Sequence, residues 1–599
     1  MERHQVGAAA VSAAREGFAE RIGGEVHSMS RAGRMTSSEW QLIADEFLDH
    51  LGALSAADPE LTGPQAAAVL KAATEAAAGA VAYAAYFPHG SFHVVLDYLN
   101  FGMSYRREDA GDDGDGGDGG DGWDAAEEAV TPSEWLDAFC LAILSDATGR
   151  HGEAFHFARA EFDRTAAGTP AVELVNGFMA QVSGDTGDED ADHPPSAEAK
   201  LAAIDAALAR IDRRAADHGV DLADRPHTVA LCTLRALAAA DRAAFDTGLT
   251  ALLQAHRDSC GPGARPSSLL PLLPLALAAL GHRGPGWTPE VDTDYLPRTL
   301  VSGFESAGPR VGGLGRDRRP DAVAALASGP LVVERPAPVR PQNPEDEAGL
   351  EERLGLALDP TDGKPPRYSL LASALQCQEI VLKLRAWHSA DLTDAQLTNL
   401  RQAAQLAAAV FRVALADPGT EARVTIDGRT FGYPATRDWR TDPPQWQSAV
   451  DFALITGVPE HLAVLVRTGP AVSTKDDGPT SSYRRALHDY FRGVDPEPAT
   501  EQALRTFGDG RDRGFLPPPA VLLSQLVDGD EESFNLALAD ALEAHRAFHQ
   551  VAARAAAPDA ALNLDILALA CHAHRSRRWR IRVDSSYLPP RLFQGGASA

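Results

Sequence analysis

The stretch WTPEVDTDYLPRTL at residues 287–300 returns as WRIRVDSSYLPPRL at residues 579–592. Trp287/Trp579, Val291/Val583, Asp292/Asp584, Tyr295/Tyr587, Leu296/Leu588, Pro297/Pro589 and Leu300/Leu592 are identical, seven of fourteen positions, where composition alone produces roughly one match in fifteen. The chain therefore carries an internal repeat of long period, and the fold has to be read as a duplicated unit.

Working upstream, the repeat continues. Leu275-Ala276-Leu277-Ala278 and Leu567-Ala568-Leu569-Ala570 precede the two stretches. Asp241 to Arg257 matches Asp530 to Arg546, with Phe245/Phe534, Leu249/Leu538, Leu252/Ala541 and His256/His545 on one helical face. Thr131-Pro132-Ser133-Glu134-Trp135 matches Asp442-Pro443-Pro444-Gln445-Trp446. Both place an oxygen-bearing cap, a proline at the first helical position and Glu or Gln at the third, which predicts two helix starts capped by Thr131 and Asp442. Leu136, Phe139, Cys140, Ile143 and Leu144 then follow at core-facing helical spacing.

Further upstream, Pro88, Val94, Asp97, Phe101 and Gly102 align without a gap on Pro418, Val424, Asp427, Phe431 and Gly432. Alanine-rich helices at 66–85 and 397–416 come first, and the alternation after them predicts a short β-hairpin. Asp427-Gly428 is a type I′ turn signal. Folding should superpose Pro88 on Pro418, Trp135 on Trp446 and Tyr295 on Tyr587.

The repeat spacing falls along the chain from 330 to 311 to about 290 residues, so the first copy has gained residues. The gains fall at 108–128, nearly all Asp and Gly, and at 183–195, SGDTGDEDADHPP. Both hold too few apolar groups to offset chain entropy and are expected to lack regular structure. The organisation predicted is a first module at 1–307, a Gly/Pro/Arg-rich linker at 308–349, and a second module at 350–599. With 44% hydrophobic residues, 7% aromatics and abundant alanine, the fold class is mostly α: two tandem helical-bundle modules, each with a small β-hairpin.

The net charge of −29 argues against nucleic acid and anionic membranes as partners, since both require Lys/Arg patches, and favours a basic partner. No apolar run of about 18 residues suggests a membrane span. Met1 to Ile22 carries Glu2, Arg3, Arg15, Glu16, Glu20 and Arg21 where a signal peptide needs an apolar core. Cys140, Cys232, Cys260, Cys377 and Cys571 are odd in number and mostly within helical patterns, as in a reducing cytoplasm.

Several constellations invite a chemical reading. GGDGGDGWD at 116–124 fits a calcium-binding nonapeptide once, but that architecture needs stacked repeats, and a solvated loop is the simpler account. An EF-hand starting at Asp113 fails because Asp118 stands where Gly is required. His545 and His549, and their counterparts His256 and Cys260, have metal-ligand spacing on a helix, yet the sequence offers no third ligand. His89 and His93 share that spacing only across a loop and a hairpin. Asp97/Asp427 and Asp292/Asp584 could be catalytic carboxylates, although turn and cap roles explain their retention. No nucleophile elbow, phosphate loop, dinucleotide fingerprint or CxxC pair is present. The expectation is therefore no catalytic, cofactor or metal residues, and no enzyme.

The pattern of an alanine-rich helix, the hairpin VTIDGRTFGYPAT at 424–436, Trp446 and Ala449 opening a helix, and Val583 to Pro589 after a Leu/Ala helix resembles the immunity protein 49 family of bacterial polymorphic toxin systems. Arg3-His4 is similar to the family's start. The resemblance implies an α-helical cytoplasmic protein that neutralises a toxin domain by stoichiometric binding, with no active residues to transfer. The alternative is a helical scaffold or regulatory protein-interaction module without a toxin ligand.

Overall fold

The computed structural model describes residues 1–106, 129–160, 162, 164–187, 194–261, 263–304, 308–338, 344–358, 367–437, 441–471, 475–507 and 516–594. The chain is 66% helical and divides into two units, Met1–Ser306 and Ala307–Ala599. The acidic segment 108–128, with the nonapeptide and Asp113, lies outside the described residues. Of 183–195, Ser183 closes a π-turn over Met179–Ser183, and 188–193 are likewise outside them.

In the first unit the alanine-rich helix runs from Pro64 to Tyr86, against Ser37–Ala57, Pro132–Leu144 and Thr148–Ala160. Small side chains let these helices approach, and Trp40, Phe47, Trp135, Phe139 and Phe155 fill the space between them, all fully buried. The second unit repeats the plan with Asp394–Leu415, Tyr368–His388, Pro443–Thr456 and Pro459–Thr468. Trp135 Nε1 donates to Phe155 O at 3.0 Å, and Trp446 Nε1 donates to Leu465 O at 2.9 Å. The two indoles thus occupy the same place in the two units.

Each unit carries its hairpin. Phe92–Leu96 pairs with Phe101–Tyr105, and Glu421–Ile426 with Arg429–Pro434, both antiparallel. Asp427 and Gly428 have φ of 48° and 75°, the left-handed pair that a two-residue type I′ turn requires. The first hairpin instead turns through Asp97–Leu99 and Asn100, two residues more. That corrects the gapless alignment. Val94 faces Met103 while Val424 faces Phe431, so Phe101 and Gly102 do not correspond to Phe431 and Gly432. The true equivalents are Tyr105, across from Phe92, and Tyr433, across from Ala422, both buried.

The capping expectation holds in one copy only. Thr131 Oγ1 accepts from Glu134 N at 3.3 Å and Glu134 Oε2 accepts from Thr131 N at 2.8 Å. Asp442 sits at the N-cap position but makes no side-chain cap bond, and Gln445 Oε1 finds no partner among the described residues. Pro444 beside Pro443 removes one more amide from the first turn, which lessens the need for a cap.

The stretch 308–349, expected to be a linker, holds structure and belongs to the second unit. It contains a bridge between Val311 and Arg318, the helix Pro320–Ser328, the strand Leu331–Val332 and the start of the helix Pro344–Leu358. Arg310 anchors it, bonding Asp540 at 2.8 Å and Glu543 at 2.7 Å. Arg310 and Arg318, from this Gly/Pro/Arg-rich stretch, are ion-pair partners of the helix Glu531–His549.

Candidate functional site

The repeated motif gathers around an extended arm in each unit, at residues 1–4 and 331–336. Leu331–Val332 lies parallel to Val583–Asp584, and Val333 N donates to Asp584 O at 3.0 Å. In the first unit Met1 N donates to Asp292 O. Met1-Glu2-Arg3-His4 therefore corresponds to Val333-Glu334-Arg335-Pro336. Asp292 and Asp584 serve through their main chains, and their side chains are exposed. Arg3 donates to Ser55 Oγ and O at 3.1 and 3.0 Å. Arg335 reaches the carbonyls of Ala561, Trp387 and Ser389.

Beneath each arm lies a histidine edge-on to a tyrosine. His256 and Tyr295 have ring centroids 5.5 Å apart at 88°, and His545 and Tyr587 5.2 Å apart at 82°. The same helices hold Phe245 against Trp287 and Phe534 against Trp579, each at 5.4 Å. Asp241 and Asp530 cap them, accepting from Ala244 N and Ser533 N.

The first arm adds a second histidine. His4 N and Nδ1 lie 2.9 and 2.7 Å from the Tyr295 hydroxyl, and His4 Nε2 lies 2.9 Å from Ser268 Oγ. Ser268 is brought in because helix Ser37–Ala57 passes closely there: a Cβ on Gly52 would lie 2.0 Å from Pro266 O. His256 Nε2 faces Ser268 O at 2.8 Å and Cys260 Sγ at 3.6 Å. His4, His256 and Cys260 thus offer ligand atoms all within 4.8 Å of one another. Burial, then the charges of His256 and Arg3, lower the His4 pKa and favour its neutral ring. Sequence reasoning saw the His256/Cys260 spacing and missed His4, which reaches it from the other end of the module.

The second arm offers Pro336, with no N–H and no imidazole. The buried Tyr587 hydroxyl has no hydrogen-bond partner among the described residues, and burial pushes its pKa up to about 12. His545 Nδ1 is 3.3 Å from Asn563 Nδ2; burial, then His549, lower its pKa to about 3. Lys383 sits beside these rings, paired with Glu379 and Asp559. Asp451, where the first copy has Cys140, is buried and hydrogen-bonds Asp565; burial raises its pKa well above the carboxylate range. A lone acid inside the apolar run 449–455 was the signal that could have flagged it.

The other candidates are apart from this cluster. Asp97 pairs with Lys71 and Asp427 with Gln402, each tying a hairpin turn to the alanine-rich helix before it. His89 and His93 are exposed. Two arginines with no motif around them in the sequence are shared by both copies. Arg283 donates to the carbonyls of Ile143 and Leu144 at 2.7 and 3.0 Å, and Arg575 to that of Leu454 at 2.8 Å. Each covers the open C-terminal end of its tryptophan helix.

Searches of curated proteins and of solved structures found no match. The family model described as Immunity protein 49 matches residues 58–300 and again residues 389–592. These two spans enclose both hairpins, both tryptophan helices and both His/Tyr pairs, and the chain belongs to the immunity protein 49 family, of which it carries two tandem copies.

Proposed function

We infer that this chain neutralises a toxin by binding one of its domains stoichiometrically in the cytoplasm, without chemistry on it. The observation that carries the reading is the match of an immunity family to both copies. The polar residues that both copies retain support it, since Arg3/Arg335, Asp241/Asp530 and Arg283/Arg575 hold arms and helix ends rather than a reaction centre. The charge of −29 favours a basic ligand. Toxin domains that cut nucleic acid need cationic surfaces, and an acidic inhibitor meets such a surface as the phosphate backbone does. No helix of the described residues is long and apolar enough to cross a membrane.

The test is to look for a toxin gene beside this one and to co-express its toxin domain with the chain; the absence of such a gene favours the scaffold reading. Rescue of growth, a co-purifying complex of fixed stoichiometry and an unaltered toxin mass are expected. Association should slow markedly from low to physiological salt while dissociation changes less. Failure to rescue overturns the immunity reading, turnover of the toxin overturns the binding mechanism, and a salt-independent association rate removes the charge argument.

A further inference from the structure

We propose that His4, His256 and Cys260 form a site for a divalent transition metal of the zinc class, one that clips the arm of the first module onto its body. The chemistry of the donors fits: two imidazole nitrogens and a thiolate sulfur make a mixed set that zinc takes readily. The geometry fits as well. Zinc–sulfur and zinc–nitrogen bonds of about 2.3 and 2.0 Å at a tetrahedral angle place the two ligand atoms about 3.5 Å apart, and His256 Nε2 and Cys260 Sγ are 3.6 Å apart. The remaining pairs, at no more than 4.8 Å, close by a small turn of His4 on its arm.

The surroundings are those of a ligand shell. His4 Nδ1 is engaged by the Tyr295 hydroxyl, the kind of contact by which a neighbouring group orients ligating histidines elsewhere, and Nε2 is the ring nitrogen left for the metal. In this structure the His256 Nε2–H donates to Ser268 O and His4 Nε2 is bonded to Ser268 Oγ, so the ion binds by displacing both hydrogen bonds, with the His256 proton moving to Nδ1. On binding, the Cys260 thiol proton leaves to solvent as the sulfur–metal bond forms. All three side chains are only partly buried, so the ion has access. The second module has Pro336 and His549 at the positions of His4 and Cys260, so the proposal concerns the first copy alone.

Cobalt(II) titration of the reduced full chain tests it. One equivalent should bind with a thiolate-to-cobalt charge-transfer band, and zinc should displace it. Cys260→Ser should abolish the band, whereas Cys232→Ser, at an exposed thiol, and His549→Ala should retain it. His4→Ala, on the arm and away from the core, should weaken binding at least about tenfold with an unchanged far-ultraviolet spectrum. Absence of the band in the wild-type chain, its survival in Cys260→Ser, or undiminished affinity in His4→Ala would each overturn the site.

Discussion

In the first module Tyr295 is met by a histidine from the arm; in the second Pro336 stands at the position of that histidine, and the Tyr587 hydroxyl has no partner among the described residues. The apolar frame around the two tyrosines is nonetheless the same, down to the 5.4 Å between phenylalanine and tryptophan rings. Around these two tyrosines shape has been kept while the contacts of the hydroxyl have drifted. This is the expected order, because losing a large buried side chain costs several times what one hydrogen bond contributes.

The sharpest way to break the comparison is to remove the shared indoles. Trp135→Ala and Trp446→Ala should each cost about 3–5 kcal/mol. Denaturant unfolding with peptide-resolved hydrogen exchange would assign each loss to its own module, and markedly unequal costs would end the equivalence. Acid probes the second module next. The folded pKa of His545, about 3, lies below the unfolded value of about 6.5, so its contribution is fully present above pH 6.5 and is lost as pH falls toward 3. His545→Gln should remove that dependence, seen as a shrinking stability difference from the wild type between those limits.

Arg283→Ala should cost about 2 kcal/mol, because it leaves helix-end carbonyls without a charged donor. Arg575→Ala, with one such bond against four for Arg283, should cost less. The smallest pair isolates the arm itself. Tyr295→Phe should cost about 1 kcal/mol by deleting the His4 bond, while Tyr587→Phe should be close to neutral. Equal costs for these two would show that the arm histidine contributes nothing to the difference between the modules.

What could be read from the sequence follows the same division. Trp135/Trp446, Phe245/Phe534 and Tyr295/Tyr587 were legible because large rings in a core tolerate few substitutes. The type I′ turn at Asp427-Gly428 was legible because its backbone admits few residue types. The first hairpin was misread because a two-residue change in turn length moves every later partner, and chance recurrence of Phe and Gly disguised it. The arm of the second module was hidden in a stretch whose Gly, Pro and Arg suggest solvent. Only Glu2-Arg3 and Glu334-Arg335 mark it, and its main role is played by backbone atoms, which leave no signature in residue type. Asp451 escaped notice because it occurs in a single copy.

The bond from the arm to the strand at the end of each module has a topological consequence. In the first module it joins the first residues to Asp292, near the end, and in the second it joins Leu331–Val332, which follow the helix Pro320–Ser328, to Val583–Asp584. A body closed in this way can be appended to a copy of itself without rearranging either interior, which makes tandem duplication structurally undemanding. It also means that the closing contact is among the most distant in sequence, with the loop-closure entropy that implies. On the ribosome, a module emerges almost completely before its arm finds its partners.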